Sequence, residues 1–205
     1  MKRKGIKNLI IDFGGVLIDL DRDRCIRNFE QLGVADFGDL IDPYRQQGFF
    51  MELEKGLITA SEFRNIIRDR SNKLFTDKQI DAAWNSFLVG IPTYKLDLLL
   101  KLREHYVVYL LSNTNIIHWK WSCANTFPHK GFRVEDYFEK MFLSFELHQA
   151  KPEKDMFETL LAETGIVPEE TFFIDDAPAN CQTAQSLGIS IYTPEAGEDW
   201  GHLFK

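Results

Sequence analysis

Asp12 closes a run of apolar, β-favouring residues and is followed by Phe13 and the pair Gly14-Gly15, in the stretch LIIDFGGVL from Leu9 to Leu17. A buried strand that ends in one carboxylate and then meets two glycines delivers that carboxylate to a loop free to turn sharply, as a nucleophile is often presented. Three later stretches carry complementary chemistry. LLSNTN places Ser112, Asn113 and Thr114 after an apolar run, where a hydroxyl and backbone N–H groups can hold the oxygens of an anion. AKPEK carries Lys151, a cation able to offset the charge of Asp12, with Pro152 stiffening the turn before a helix. FFIDD ends in Asp175 and Asp176. Taken singly, each has a plainer reading: aspartate and glycine make ordinary turns, SNT is a turn sequence, Lys-Pro is common on surfaces, and Asp175-Asp176 can cap a helix at Pro178.

The elements that would position these groups follow from periodicity. Apolar residues spaced at three and four predict helices over Cys25–Leu32, Tyr44–Leu53, Ser61–Phe75 and Lys78–Val89, with Asp21, Thr59 or Ser61, and Thr76 as caps. No strand is expected between residues 21 and 90, so a helical block is inserted straight after the first strand. Beyond Pro92 helix and strand alternate: helices over Thr93–His105, Ile116–Cys123, Lys154–Thr164 and Pro178–Leu187, and strands over Tyr106–Leu111, Lys140–Ser144, Thr171–Ile174 and Ile189–Tyr192. This order implies an α/β fold with a parallel sheet covered on both faces, in which ligands gather at the carboxyl ends of the strands. Asp12, Ser112 and Asp175-Asp176 all fall at such ends. The segment Glu195–Lys205 reads as a surface tail.

If the first and fourth core strands are neighbours, Asp12, Asp175 and Asp176 converge. Carboxylates so close repel and raise one another's pKa unless a cation neutralises them. An all-oxygen cluster suits a hard divalent ion, and Mg²⁺ keeps waters while bridging to phosphate.

Composition narrows the classes. A net charge of −7 over 205 residues argues against nucleic acid as a partner. The basic, then apolar start MKRKGIKNLI breaks at Asp12, too early for a signal peptide or membrane span. Cys25, Cys123 and Cys181 are far apart and outside paired metal spacing, which fits reduced cytoplasmic thiols.

Asp12 with Gly14-Gly15, Ser112 after an apolar strand, Lys151-Pro152, and Asp175-Asp176 with Asn180 resemble the four ordered motifs of the haloacid dehalogenase (HAD) superfamily, over Leu9–Gly188. The likeness is greatest to the small phosphatases with a helical cap, including the bacterial α-glucose 1-phosphate phosphatase type, which EKGLITASEF also resembles. The resemblance implies a Rossmann-like sheet in the order 5-4-1-2-3, built from residues 1–20 and 91–205, with residues 21–90 as a mobile cap. It implies that Asp12 attacks phosphorus to give an aspartyl-phosphate that water hydrolyses. Mg²⁺ would be held by Asp12, the Gly14 carbonyl and Asp176, with Asp175 direct or through water, and Asn180 would support the metal loop. Ser112, Asn113 and Lys151 would bind the phosphoryl group of a small phosphorylated metabolite, such as a sugar phosphate.

Gly14 departs from the pattern, since phosphatases of the superfamily commonly carry there the Asp that serves as general acid and base. Losing such a group typically costs roughly 10²- to 10⁴-fold, which predicts a preference for good leaving groups such as anomeric sugar or aryl phosphates. Two rivals share the fold: a 2-haloacid dehalogenase, which also lacks the second Asp but has no need of Asp175-Asp176, and a non-catalytic binding protein. For specificity, Tyr44, Arg45, Phe49, His118 and Trp119 are candidates to face the substrate, against a plainer role in packing or solvation.

Overall fold

The structure, a computed structural model, describes residues 3–34, 37–40, 47–195 and 197–204. Its strands are β1 (Asn8–Ile11), β2 (Asp19–Leu20), β3 (Leu88–Gly90), β4 (Val107–Ser112), β5 (Lys140–Leu143), β6 (Thr171–Ile174) and β7 (Ser190–Tyr192). Five form a parallel sheet in the order β5-β4-β1-β6-β7, while β2 and β3 pair antiparallel outside it. The expected order 5-4-1-2-3 is therefore corrected to 5-4-1-6-7 in chain numbering, because the separate β2-β3 pair, which has no sequence signal of its own, takes two places in the count.

β1 lies in the middle of the sheet and all four of its residues are buried, as both-face coverage of a parallel sheet requires. Leu9 and Ile11 face the same core as Val108, Leu110, Phe172 and Ile174. Ile10 points the other way, with Tyr109, Leu111, Phe142 and Phe173, onto Met156, Phe157 and Leu160 of helix Lys154–Thr164 and onto Cys181 and Ala184 of helix Pro178–Ser186. The register fixes the chemistry. Ile11 stands level with Leu110 on one side and Ile174 on the other, so Asp12 leaves the sheet between Leu111 and Asp175.

Between β2 and β3 the described elements are helices: Arg22–Gln31, Phe37–Leu40, Phe49–Glu54, Ala60–Ser71 and Asp77–Asn85. Their starts obey the expected capping chemistry. Asp21 accepts from the Arg24 amide at 2.8 Å, and Thr59 with Glu62 and Thr76 with Gln79 form capping boxes. Phe29, Phe37, Phe50, Phe63 and Trp84 pack into one aromatic cluster. The Trp84 indole N–H donates to Asn115 Oδ1 at 3.3 Å, tying the helical block to the loop after β4. Among the described residues no helix is long and apolar enough to cross a membrane.

Several boundaries differ from expectation, among them the helix expected from Tyr44, whose described part is Phe49–Glu54 after Gly48 at φ 55°, and three more have plain local reasons. The helix expected to reach Phe75 ends at Ser71 because Asn72 takes the left-handed conformation, with φ 50°. The helix expected over Lys78–Val89 stops at Asn85, and Leu88–Gly90 turns extended ahead of Pro92. The residues expected as a surface tail contain a helical turn, Trp200–Phe204, whose Trp200 and Phe204 are buried. Trp200 Nε1 donates to the Val16 carbonyl at 3.1 Å, and the buried Lys95 donates to the same oxygen at 2.8 Å, so both brace the loop after Asp12.

Trp200→Ala is expected to lower unfolding free energy by about 3–5 kcal/mol, the range for truncating a large buried aromatic. A urea midpoint that barely moves would mean that the C-terminal turn is not part of the core.

Candidate active site

Lys151 is the hub of the site. Its ammonium donates to Asp12 Oδ1 at 2.6 Å, to Asp175 Oδ2 at 2.6 Å and to the Leu111 carbonyl at 2.8 Å, so all three protons are used. Asp12, Lys151 and Asp175 are buried. The Lys151 backbone is clamped as well, since its amide donates to Asn113 Oδ1 at 2.8 Å while Asn113 Nδ2 donates to its carbonyl at 2.8 Å. Asn113 thereby fixes the loop after β4 to the segment that carries the lysine.

Asp175 is saturated. Its Oδ1 accepts from the Ala177 amide at 2.8 Å and Asn180 Nδ2 at 2.9 Å, and its Oδ2 accepts from Asn180 at 3.0 Å as well as from Lys151. Asp176 is only half-buried and stands beside it. One carboxylate oxygen from each of Asp12, Asp175 and Asp176 lies within 4.8 Å of the others.

Gly14 and Gly15 serve different ends. Gly15 has φ +73°, and a Cβ there would lie 2.1 Å from Asp176 Oδ2, so only glycine lets the first loop approach the last. A Cβ on Gly14 would meet Leu20 Cδ1 at 3.3 Å. The β2 leucine thus occupies the space beside this residue.

The electrostatics follow from counting. Three carboxylates share one ammonium, which leaves two negative charges when all are ionised. Burial is the main reason that Asp12 is pushed up to about 8, with Asp175 and Asp176 adding to the shift and Lys151 opposing it. Asp176 is pushed up to about 6, again chiefly by burial and then by Asp175. For Lys151 burial works against the charge, but Asp12 and Asp175 outweigh it and the pKa rises. An all-oxygen set with this excess charge fits a hard divalent cation in size of charge and ligand type.

A cavity of about 90 Å³ is lined by Asp12, Gly14, Asn113, Lys151, Asp176 and Asn180, together with Leu20, Glu54 and Phe87. A larger one, of about 650 Å³, lies against helix Thr93–Arg103 and shares no residue with the carboxylate cluster. Of the sequence candidates, Asp12, Gly14, Asn113, Lys151, Asp176 and Asn180 meet at the small cavity, and Asp175 lies just behind it in contact with Lys151 and Asn180. Ser112 is fully buried at the end of β4, with its hydroxyl 3.4 Å from the Asn113 carbonyl.

The specificity candidates fare differently. Phe49 packs on Phe50 and Phe63 within the helical block, and Trp119 packs on Phe13 and Phe127. His118 stacks on Trp84 with centroids 4.4 Å apart, and its Nε2 donates to the Trp84 carbonyl at 3.0 Å. Burial pushes its pKa down to about 4, so the ring is neutral and structural, although it borders a 60 Å³ extension of the cavity. Tyr44 and Arg45 lie outside the described residues. Glu54, Leu20 and Phe87 were not foreseen, because a glutamate in a short helix and single apolar residues at either end of the helical block carry no signal of which face they present.

With this geometry in hand, the chain can be compared with known proteins. Residues 6–188 match the haloacid dehalogenase-like hydrolases, and the chain belongs to that family. It is 40% identical, over 95% of both chains, to a D-ribitol-5-phosphate phosphatase of Bacteroides thetaiotaomicron. A HAD family enzyme from the same organism, solved as an Asp12→Ala variant with magnesium and inorganic phosphate, is 62% identical with a TM-score of 0.96, covering 98% of this chain and 99% of that one. A HAD-like family hydrolase from Porphyromonas gingivalis is 38% identical with a TM-score of 0.90, covering 97% of this chain and 96% of that one.

Because Asp12 binds its proton more tightly folded, at about 8, than unfolded, near 3.8, the metal-free fold takes up a proton between these values, and stability drains away as pH rises through that window. In EDTA, the unfolding free energy of wild type minus that of Asp12→Asn is expected to fall from pH 4 to pH 8. A flat or rising difference would mean that Asp12 is not under charge pressure.

Proposed function

We propose that this chain is a Mg²⁺-dependent phosphatase that hydrolyses a small phosphorylated metabolite through an aspartyl-phosphate on Asp12. The observation that carries the proposal is the single ammonium of Lys151 held between Asp12 and Asp175, with Asp176 alongside, at the floor of a cavity.

Asp12 stands at the end of the central strand with one oxygen oriented by Lys151, which supports it as the group that attacks phosphorus. The P–O bond to the leaving group breaks as the bond to Asp12 forms, and water later cleaves the acyl-phosphate. Asn113 and Lys151 line the cavity and are assigned to the phosphoryl oxygens, for which Lys151 would exchange one of its present contacts, while Ser112, fully buried at the end of β4, would have to turn its hydroxyl from the Asn113 carbonyl to join them. The transferred group carries its charge in the transition state, so fixed donors and cations are worth more there than covalent help. Asp12, the Gly14 carbonyl and Asp176 are the groups that would hold Mg²⁺, with Asp175 acting through its contacts or a water because its lone pairs are already engaged. When bound, the ion balances the two uncompensated negative charges and polarises the phosphoryl oxygens. Asn180 holds Asp175 in place from behind.

Residues 21–90 are proposed as a cap. The cavity of about 90 Å³ is small, of the order of a phosphoryl group. A larger substrate then enters as the helical block shifts about the β2-β3 pair. The relative named for D-ribitol 5-phosphate supports phosphorylated sugars and sugar alcohols as the substrate class. That compound is a primary-alcohol phosphate, so the range proposed here includes such esters as well as the anomeric and aryl phosphates that Gly14 by itself would favour.

Phosphate release from ribitol 5-phosphate, α-glucose 1-phosphate and 4-nitrophenyl phosphate is the test. Turnover of at least one is expected with Mg²⁺ and not in EDTA, with Asp12→Asn slower by roughly 10³-fold or more, and 2-haloacids should release no halide. Metal-independent halide release, or an Asp12→Asn variant as active as wild type, would overturn the proposal.

A further inference from the structure

The geometry points to Glu54 as the general acid and base of this site, in place of the carboxyl that Gly14 cannot supply; the inference rests on the aspartyl-phosphate reading above. Glu54 ends helix Phe49–Glu54 and, among the described residues, is the one ionisable side chain of the helical block that lines the cavity holding Asp12 and Lys151. It also lines the adjoining 60 Å³ space with Leu20, Phe87 and His118. Among the described residues no hydrogen-bond or ion-pair partner holds its carboxyl. Glu54 is half-buried, and with no partner among the described residues its carboxyl can turn to a group bound in the cavity that it lines.

The segment around Glu54 is fastened down. Lys55 Nζ pairs with Glu153 at 2.6 Å, two residues from Lys151, and His148 Nδ1 donates to the Lys55 carbonyl at 2.8 Å. Gly56, at φ +62°, runs so close to the core that a Cβ there would lie 2.2 Å from the Phe145 carbonyl oxygen. Three contacts from two consecutive residues, Lys55 and Gly56, therefore hold the end of this helix against residues 145–153. The enclosing side chains raise the Glu54 pKa, with Lys151 pulling the other way, which is the direction a general acid needs. Leu20 stands beside Gly14, with its Cδ1 3.3 Å from where a Cβ on that glycine would lie, so an apolar side chain borders the place an aspartate would take there.

The proton balance is simple. As Asp12 bonds to phosphorus and the ester P–O bond breaks, protonated Glu54 gives its proton to the departing oxygen, yielding the alcohol, the aspartyl-phosphate and a Glu54 carboxylate. Water then attacks phosphorus and gives a proton to Glu54. The P–O bond to Asp12 breaks, inorganic phosphate leaves, and Glu54 is protonated again.

A series of phenyl phosphates of graded leaving-group pKa, together with ribitol 5-phosphate, tests the assignment on wild type, Glu54→Gln and Glu54→Asp, with rapid-quench detection of the phosphoenzyme. For Glu54→Gln, kcat/KM is expected to fall less than ~10-fold for 4-nitrophenyl phosphate and roughly 10²- to 10⁴-fold for the poorest leaving groups. The plot against leaving-group pKa steepens, and a burst of about one nitrophenol per site precedes slow turnover as phosphoenzyme accumulates. Glu54→Asp should recover part of the loss. An unchanged slope without a burst, the result for a residue that only packs or binds a hydroxyl, would overturn the role of Glu54 alone. Failure to trap any phosphoenzyme in wild type would overturn the aspartyl-phosphate reading and this inference with it.

Discussion

A buried lysine shared between two carboxylates, with a third beside them, is the constraint that the rest of this structure serves. Lys151 is 2% exposed and Asp175 0%, so neither charge keeps its water, and an ion pair of this kind persists only when nearly every donor and acceptor is matched. The matching is done by the Leu111 carbonyl, the Ala177 amide and Asn180. What is left over is charge, two negatives that no described side chain neutralises. Such a cluster weakens a metal-free fold and strengthens a cation-bound one, and stability is commonly given up in this way at functional sites.

Topology makes the convergence possible. Asp12 and Lys151 are 139 residues apart in sequence, and they meet because β1 lies between β4 and β6 with its end in register with both. The helices that return the chain from β5 to β6 and from β6 to β7 bury one face of the sheet, and the resulting rigid frame leaves only loops at the carboxyl ends. Those loops are braced from unexpected quarters, with Lys95 and Trp200 both donating to the Val16 carbonyl just past the glycine pair. The helical block arrives over the same end, anchored by Trp84 to Asn115 on one side and by Lys55 to Glu153 on the other. The block and the sheet also share one continuous apolar cluster, which runs from Leu9 and Ile11 to Phe50 and Trp84.

Asp12, Lys151, Asp175 and Asp176 were legible from sequence because each closes or follows an apolar strand and because their charges answer one another. The parallel sheet was legible for the same reason, since strands of three to six residues alternate with helices of about three turns. β2 and β3 were not, because they are short, stand outside that alternation, and owe their pairing to the return of the chain from the helical block. Trp200 and Phe204 looked like the end of a polar tail, and only the space beside Val16 and the β1 face gives them a core to enter. Glu54 was invisible for a different reason. Its significance lies in which cavity it faces, and a helix six residues long with apolar residues on several sides does not announce that direction.

The most direct test of the central claim is calorimetric titration of Mg²⁺ into the purified protein and into Asp176→Asn. The account predicts one ion per chain for wild type and no measurable binding for the variant, whose fold should otherwise be intact by circular dichroism. Equal binding by the two proteins, or none by either, would contradict the claim that these carboxylates exist to share a divalent cation.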